Sequence, residues 1–263
     1  MLSQADLQAA STLLWEHWRQ GRRLPALPLS CRPVTRADGY AVQALIEQHT
    51  AHPLFGWKIA ATSAAGQAHI GVDGPIAGRL LKERTRESGV EIALRGNYMR
   101  VAEPEFAFRM RSRLAPRAQP YNVEEVLAAV DSLHPAIEIP DSRYEDFAKV
   151  GAPQLIADLA CAHLFVLGPP APPAWRAVDL VEHRVMARVG GRYEREGKGV
   201  NVLGDPRVAL TWIANELSGL AIALDVGQVV TTGTCMAPLE VVAGDHVTVD
   251  FGTIGRVDVQ FGD

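Results

Sequence analysis

Cysteine is scarce in this sequence, long apolar runs are missing and charge of neither sign accumulates; each lack removes a class of protein. Cys31, Cys161 and Cys235 are the 3 cysteines, widely spaced and without a CxxC pair. That leaves no disulfide framework, and reduced core thiols in a cytoplasmic protein are expected. His163 lies two residues from Cys161, but nearness in sequence sets no catalytic geometry. No stretch of about 18 apolar residues occurs, so no membrane-spanning helix is expected. The first residues carry Asp6, Glu16, Trp15 and Trp18 in a helical pattern, not the charged-then-apolar layout of a leader. Lys plus Arg number 26 against 30 Asp plus Glu, a net charge of -4. The basic residues of 79–86 and 109–117 alternate with acids or prolines, so no nucleic-acid footprint forms. No GxxxxGK[ST] phosphate loop is present, no strand-then-helix dinucleotide unit follows the glycine-rich stretch at 66–81, and no internal repeat stands out.

What remains is an ordinary globular composition, 48% hydrophobic and 21% charged over 263 residues. It fits one large domain, or a small one attached to a larger one. Two stretches carry the chemistry. Val101–Phe108 reads VAEPEFAF, and strand alternation sends Glu103 and Glu105 to one face and Phe106 and Phe108 to the other. Ala136–Arg143 reads AIEIPDSR and sets Glu138 between two isoleucines. Three carboxylates on apolar strands need a positive partner. A divalent cation with oxygen ligands would serve, and Mg2+ suits a few carboxylates plus water and substrate oxygens. Spacing alone leaves two other arrangements open: Glu103 and Glu105 on a solvated edge, and Glu138 paired with Arg143.

The remaining pattern is read in chain order. Residues 3–20 predict a helix with Ser3 and Asp6 at its start, and a second runs from after Thr35 to about His49 with Tyr40, Ala41, Ala44 and Leu45 inward. In the strand Phe55–Ala61, Lys58 either snorkels to the surface or is held by acids. Residues 66–81 predict a mobile loop carrying His69 and Asp73. Strands are expected at 90–94 and 99–110, then a helix over 122–133 with Val126, Leu127, Val130 and Leu133 inward, and a polar turn at Asp141–Tyr144. Further strands fall at 162–168 and 184–189. Asp205–Gly219 is a helix with Pro206 in its first turn and Val208, Ala209, Trp212, Ile213 and Leu217 buried. Strands at 229–233, 247–251 and 256–261 close the chain, the last two as a hairpin. The sum is an α+β protein with a mostly β C-terminal portion and a small helical N-terminal part, divided into residues 1–60 and 61–263.

The segments GWKIA, GVDGP, EPEFAF, AIEIPDSR, LFVLG, VLGDPRVALTWIANEL and GDHVTVDFGTIGRVDVQF, in that order from about Asp38 to the end, resemble the 2-oxopent-4-enoate hydratase/4-oxalocrotonate decarboxylase group. That group belongs to the fumarylacetoacetate hydrolase superfamily. The resemblance implies a β-roll around Mg2+ or Mn2+ held by Glu103, Glu105 and Glu138. It makes Lys58 the active-site lysine and Asp73 the acid of the GVDxP loop, with proton handling between them. Arg143, His69 and Asp158 are then expected at the substrate. Departures lie at Leu159, where an Asn is usual, at the bulky His163, and at Gly74 and Ile76; they bear on the substrate tail.

A 2-oxo acid chelates one cation through its carboxylate and keto oxygens, and the cation stabilises charge building on the keto oxygen. The implied reaction is hydration of 2-hydroxypenta-2,4-dienoate to 4-hydroxy-2-oxopentanoate. The alternatives are decarboxylation of 4-oxalocrotonate, hydrolysis of an acylpyruvate by a His69–Asp73 dyad, or a non-catalytic subunit. The expected partners are a small 2-oxo acid, further copies of the chain and a neighbouring pathway enzyme.

Overall fold

The structure is a computed structural model describing residues 1–263. Its elements, in chain order, are α1 (Gln4–Gln20), α2 (Arg36–Ala44), β1 (Gly56–Ala60), α3 (Ala64–Ile70), β2 (Ile76–Leu80), β3 (Thr85–Glu87), β4 (Val90–Ala93), β5 (Val101–Met110), α4 (Val123–Ala128) and β6 (Val130–Ile139). There follow α5 (Ala152–Ala157), β7 (Leu164–Leu167), β8 (Arg184–Val189), β9 (Tyr193–Lys198), α6 (Pro206–Gly219), β10 (Val229–Thr234), β11 (Leu239–Glu240), β12 (His246–Asp250) and β13 (Arg256–Gly262).

Two sheets organise the chain. The larger runs β2-β1-β10-β5-β6-β7-β3, with β11 beside β5; the smaller runs β4-β13-β12-β8-β9. The closing hairpin pairs Val247 with Val259 and Val249 with Val257. Those four and Phe261 are buried while their neighbours are not, as alternation over one buried face requires. The sheets meet where Phe106 stands edge-on to Phe251, centroids 5.2 Å apart. Phe106 and Phe108 therefore face the core and leave the opposite face of β5 to the acids.

The N-terminal helices follow their caps. Ser3 and Asp6 form a capping box at α1, Gly21 ends it, and Thr35 caps α2. α2 stops at Ala44 and gives way to a short 3-10 turn. Its inward residues are Tyr40, Val42, Gln43 and, in that turn, Ile46, rather than the alanines and Leu45. Polar Gln43 is buried because it serves backbone, donating to Ala77 O at 3.0 Å and Ile156 O at 2.6 Å. Tyr40 Oη accepts from Ala77 N at 3.1 Å. Helix α2 thus satisfies the free edge of β2, which a polarity pattern cannot reveal. Leu14, Leu24, Leu27 and Val42 form a small core of their own with Tyr144 and Ala157, whereas β1 lies within the large sheet.

Three expectations are corrected. The expected loop at 66–81 holds α3, capped by Ser63 and closed by Gly71, and then the buried strand β2. The helix expected over 122–133 ends at Ala128; its capping box is present, but Val130 and Leu133 belong to β6, with Leu133 opposite Phe108. Cross-strand packing of β-branched and apolar side chains outweighs helical spacing there. In α6 the buried apolar side chains are Ala209, Leu210, Ile213, Ala214 and Leu217, while Val208 is exposed; the helix ends at Gly219 as expected. β3 and β9 carry too many charges to be read as strands from pattern alone.

Gly78 sits under the segment that follows α5. A Cβ there would lie 1.9 Å from Leu159 O and 3.2 Å from Lys58 Cδ. Gly78→Ala is expected to destabilise the fold by about 1–3 kcal/mol, measured as a lower urea midpoint with an unchanged slope; an unchanged midpoint would show that the backbones can separate freely.

Candidate metal centre and active-site cavity

β5 and β6 run antiparallel with Glu103 directly opposite Glu138 and Glu105 opposite Ala136. Opposed like charges destabilise a strand pair, yet Glu105 and Glu138 are fully buried. One carboxylate oxygen from each of Glu103, Glu105 and Glu138 lies within 4.8 Å of the others. Lys58, from β1, places Nζ 3.0 Å from Glu138 Oε2 and donates to Ala160 O at 2.9 Å. Lys58 meets Glu138 as an ion pair, and both Glu138 oxygens lack a hydrogen-bond partner. Of the two readings for Lys58, the acids hold it. Glu138 does not pair with Arg143, and none of the three acids lies on a solvated edge.

Three carboxylates against one ammonium leave two negative charges in a buried site. Burial lowers the lysine's tendency to hold a proton, but Glu138, Glu103 and Glu105 outweigh it and keep Lys58 protonated. Burial and Glu138 push Glu103 up from 4.5 to about 7, against the pull of Lys58. Glu105 is raised well above the carboxylate range by burial and by Glu138 and Glu103. Glu138 is raised too, by burial that exceeds the opposing pull of Lys58. Without further positive charge all three acids hold a proton more tightly than an ordinary carboxylate does. Glu105 Oε1 is unpartnered, while its Oε2 accepts from Thr231 Oγ1 at 2.5 Å and Gly233 N at 2.8 Å. One oxygen is therefore fixed and the other left free to ligate. All-oxygen donors, unpartnered buried atoms and the charge deficit fit a hard divalent cation such as Mg2+ or Mn2+.

The carbonyl that receives Lys58 belongs to an unusual turn. Leu159, Ala160 and Cys161 all have positive φ, at 56°, 51° and 65°, a conformation costing non-glycine residues roughly 1–2 kcal/mol each. Arg143 holds it. Its guanidinium pairs with the Asp158 carboxylate and donates to Asp158 O, to Asp141 O at 2.9 Å and to Ala162 O at 3.0 Å. Asp158 also accepts from Ser142 Oγ at 2.7 Å and Arg143 N at 3.0 Å, and Asp141 N donates to Cys161 O at 2.9 Å. Arg143 and Asp158 are thus brought together, but beneath the site and away from the cavity. Both are buried, and their role is to hold the turn that receives Lys58. The expected polar turn at Asp141–Tyr144 is interior scaffold.

Outside the carboxylates opens a cavity of about 690 Å³. Lys58, Glu103 and Gly233 line its deep end; Ile70, Met99, Val101, Phe147, Leu155 and Met236 are among the apolar residues that line the rest. His69, on α3, reaches it, its ring edge-on to Phe147 at 5.8 Å. Asp73 does not: its side chain is 90% exposed and lies 3.4 Å from Arg36. Gly71 ends α3 between His69 and Asp73, so the four-residue spacing aligns nothing and the dyad is not formed. Cys161 also lines the wall, its thiol pushed up to about 12 chiefly by burial and Asp158, so it is no thiolate nucleophile. His163 lies apart, accepting from Trp18 Nε1 at 2.9 Å. Burial, Arg143, Arg84 and Arg23 lower it to about 3, which keeps it neutral.

Sequence reasoning missed Thr231, the Gly233 amide, the Ala160 carbonyl and Phe147. Only Gly233 left a signal: it has φ +92°, and a Cβ there would come 2.3 Å from Thr62 Oγ1, so the TTGT run needs glycine.

Comparison with known proteins agrees with this geometry. The family model for fumarylacetoacetate (FAA) hydrolase, C-terminal, matches residues 86–261. The 2-hydroxyhexa-2,4-dienoate hydratase of Comamonas testosteroni is 29% identical over 254 residues, 94% of either chain. A 4-oxalocrotonate decarboxylase of a Pseudomonas species is 33% identical over 204 residues, covering 77% of this chain and 76% of its own. The solved structure of the 4-oxalocrotonate decarboxylase from Pseudomonas putida G7, complexed with magnesium and adipate, superposes with a TM-score of 0.90 at 26% identity and covers 99% of both chains.

Because the folded pKa of Glu103 is raised from 4.5 to about 7, the native protein binds a proton that the unfolded chain releases. Its stabilising contribution is complete below about 4.5 and is lost as pH rises through about 7. A cation replaces that proton, so the rise in Tm on adding Mg2+ should be larger at about pH 8 than at about pH 5.5. Glu105→Ala should abolish the rise at both. Scanning calorimetry would reject this if the rise were equal at the two pH values.

Proposed function

The chain belongs to the fumarylacetoacetate hydrolase family, and from that premise we propose that it is a metal-dependent hydro-lyase adding water to 2-hydroxypenta-2,4-dienoate to give 4-hydroxy-2-oxopentanoate. One observation carries the choice: Lys58, beside the carboxylates, is the one lysine or arginine among the cavity residues, and most of the others are apolar. 2-Hydroxypenta-2,4-dienoate has a single carboxylate, which belongs at that end. A second carboxylate, as in 4-oxalocrotonate, would be buried without a positive partner, a costly arrangement. Decarboxylation is the second reading. The sequence likeness to 4-oxalocrotonate decarboxylase supports it, as does the fact that an apolar wall favours loss of an unpaired carboxylate as CO2.

Glu103, Glu105 and Glu138 would hold Mg2+ or Mn2+, which when bound supplies Lewis-acid polarisation of the 2-oxo group. Lys58, fixed between Ala160 O and Glu138, holds the substrate's carboxylate and gives a proton toward the diene. His69 lies at the mouth, where it orders the incoming molecule. Thr62, Ser63 and Asn201 line the wall beside it and offer hydrogen bonds to a water. Asp73 has no contact with the cavity, so proton handling rests on Lys58. Arg143 and Asp158 act on substrate only through the turn they brace.

In the same reading the two sheets form a β-roll. Residues 1–60 are its helical N-terminal part and 61–263 its β-rich catalytic part, with Lys58 contributed from the junction. A cytoplasmic homo-oligomer working beside another enzyme of aromatic-compound catabolism completes the proposal. No helix of the chain is long and apolar enough to cross a membrane.

Purified protein with Mg2+ should remove the dienol absorbance of 2-hydroxypentadienoate and release little CO2 from 4-oxalocrotonate. Lys58→Met should lower the rate by about 10²-fold or more. Rapid CO2 release with the dienol left intact would instead establish the decarboxylase.

A further inference from the structure

The strands around the acids share a direction. β1 runs parallel to β10, and β5 runs antiparallel to both β10 and β6. Going outward from Lys58 along β1 leads to Ala60 and Ala61. Going outward from Glu105 and Glu103 along β5 leads to Val101, then to Met99 beyond the kink at Arg100. β10 leads to Met236, Ala237 and Pro238, and β6 to Pro140. Of these, all but Glu105 and Arg100 line the cavity. Across from them stand Ile70, Phe147 and Leu155. The cavity is therefore a channel that starts at the carboxylates and leads out past the strand ends between two apolar walls. At about 3.3 Å per strand residue, Val101 lies about 7 Å outward of Glu103.

A five-carbon 2-oxo acid does not fill this channel. It has about eight non-hydrogen atoms, and at the ~30 Å³ of a liquid water apiece it takes up about 240 Å³, against the 690 Å³ present. The unfilled part has no lysine or arginine, and most of the lining is apolar, Val101, Ile70, Met236 and Phe147 among it, beside the polar Thr62, Ser63 and Asn201. Resting on the hydratase reading above, we propose that, beyond the five-carbon dienoate that the site hydrates, its preferred substrate is a 2-hydroxy-2,4-dienoate with a bulky uncharged apolar group on its terminal carbon. That group lies over Val101 and Met236 and against Ile70 and Phe147. The same groups hold the acid head, and the channel selects the tail.

The test is a series of 2-hydroxy-2,4-dienoates whose terminal carbon bears hydrogen, methyl, propyl, pentyl or phenyl, assayed with the Mg2+-loaded protein by loss of dienol absorbance. The expected result is a kcat/KM that climbs by up to about fourfold per added methylene, mostly through KM. Met236→Trp, and as a second variant Ile70→Phe on the half-exposed α3, should lower the ratio of pentyl to unsubstituted kcat/KM. A series that turns over throughout but is flat or falls with chain length overturns the tail assignment and leaves the hydratase reading intact. If no dienoate of the series is consumed, the hydratase reading fails and the tail assignment with it.

Discussion

The arrangement on which the rest depends is the facing of Glu103 and Glu138 across an antiparallel pair, with Glu105 beside them and Lys58 pressed in from a third strand. In isolation this is an unstable set of buried like charges. It becomes tolerable only because positive charge is delivered to one point, some by the lysine and the remainder by a cation. The neighbours respond to that need. Thr231 and Gly233 fix one oxygen of Glu105, Ala160 offers its carbonyl to the lysine, and Phe106 and Phe108 anchor the back of the same strand in the core.

Much of this was legible in the amino-acid order because it is local. The E-x-E spacing in a strand sends both acids to one face whatever the rest of the chain does. The capping residues Ser3, Thr35, Asn122 and Asp205 mark helix starts by their own side chains. Helix ends and long-range partners were less readable. Val130 and Leu133 have helical spacing from Val126, and only the presence of Phe108 across the ladder makes them strand residues. Arg143 resembles a substrate-binding arginine in its motif. Its burial against Asp158 depends on a contact 15 residues away, which no pattern within the motif records. Gln43 and Asp73 depart from simple polarity in opposite ways. A polar side chain is buried to serve a strand edge, and an acid of a catalytic motif stays in solvent because a glycine stops the helix before it.

The support under Lys58 shows how a site can rest on groups remote from its chemistry. Three successive left-handed residues would not persist alone. Arg143 over-determines them by bonding carbonyls on both sides of the turn. Gly78 supplies the space in which they lie against β2. The lysine's position is thus set by an ion pair and a missing side chain, neither of which touches the cavity.

The channel walls have a different origin from the metal ligands. The acids belong to the hydrogen-bonded heart of a ladder, whereas Met99, Met236, Ile70 and Phe147 come from segments where the strands have ended or from short helices outside the sheet. Substitutions at those four leave the strand registers untouched. A lineage built on this plan can drift in the molecules it accepts while its reactive head stays constant, so diversification among such proteins should be concentrated at the strand termini.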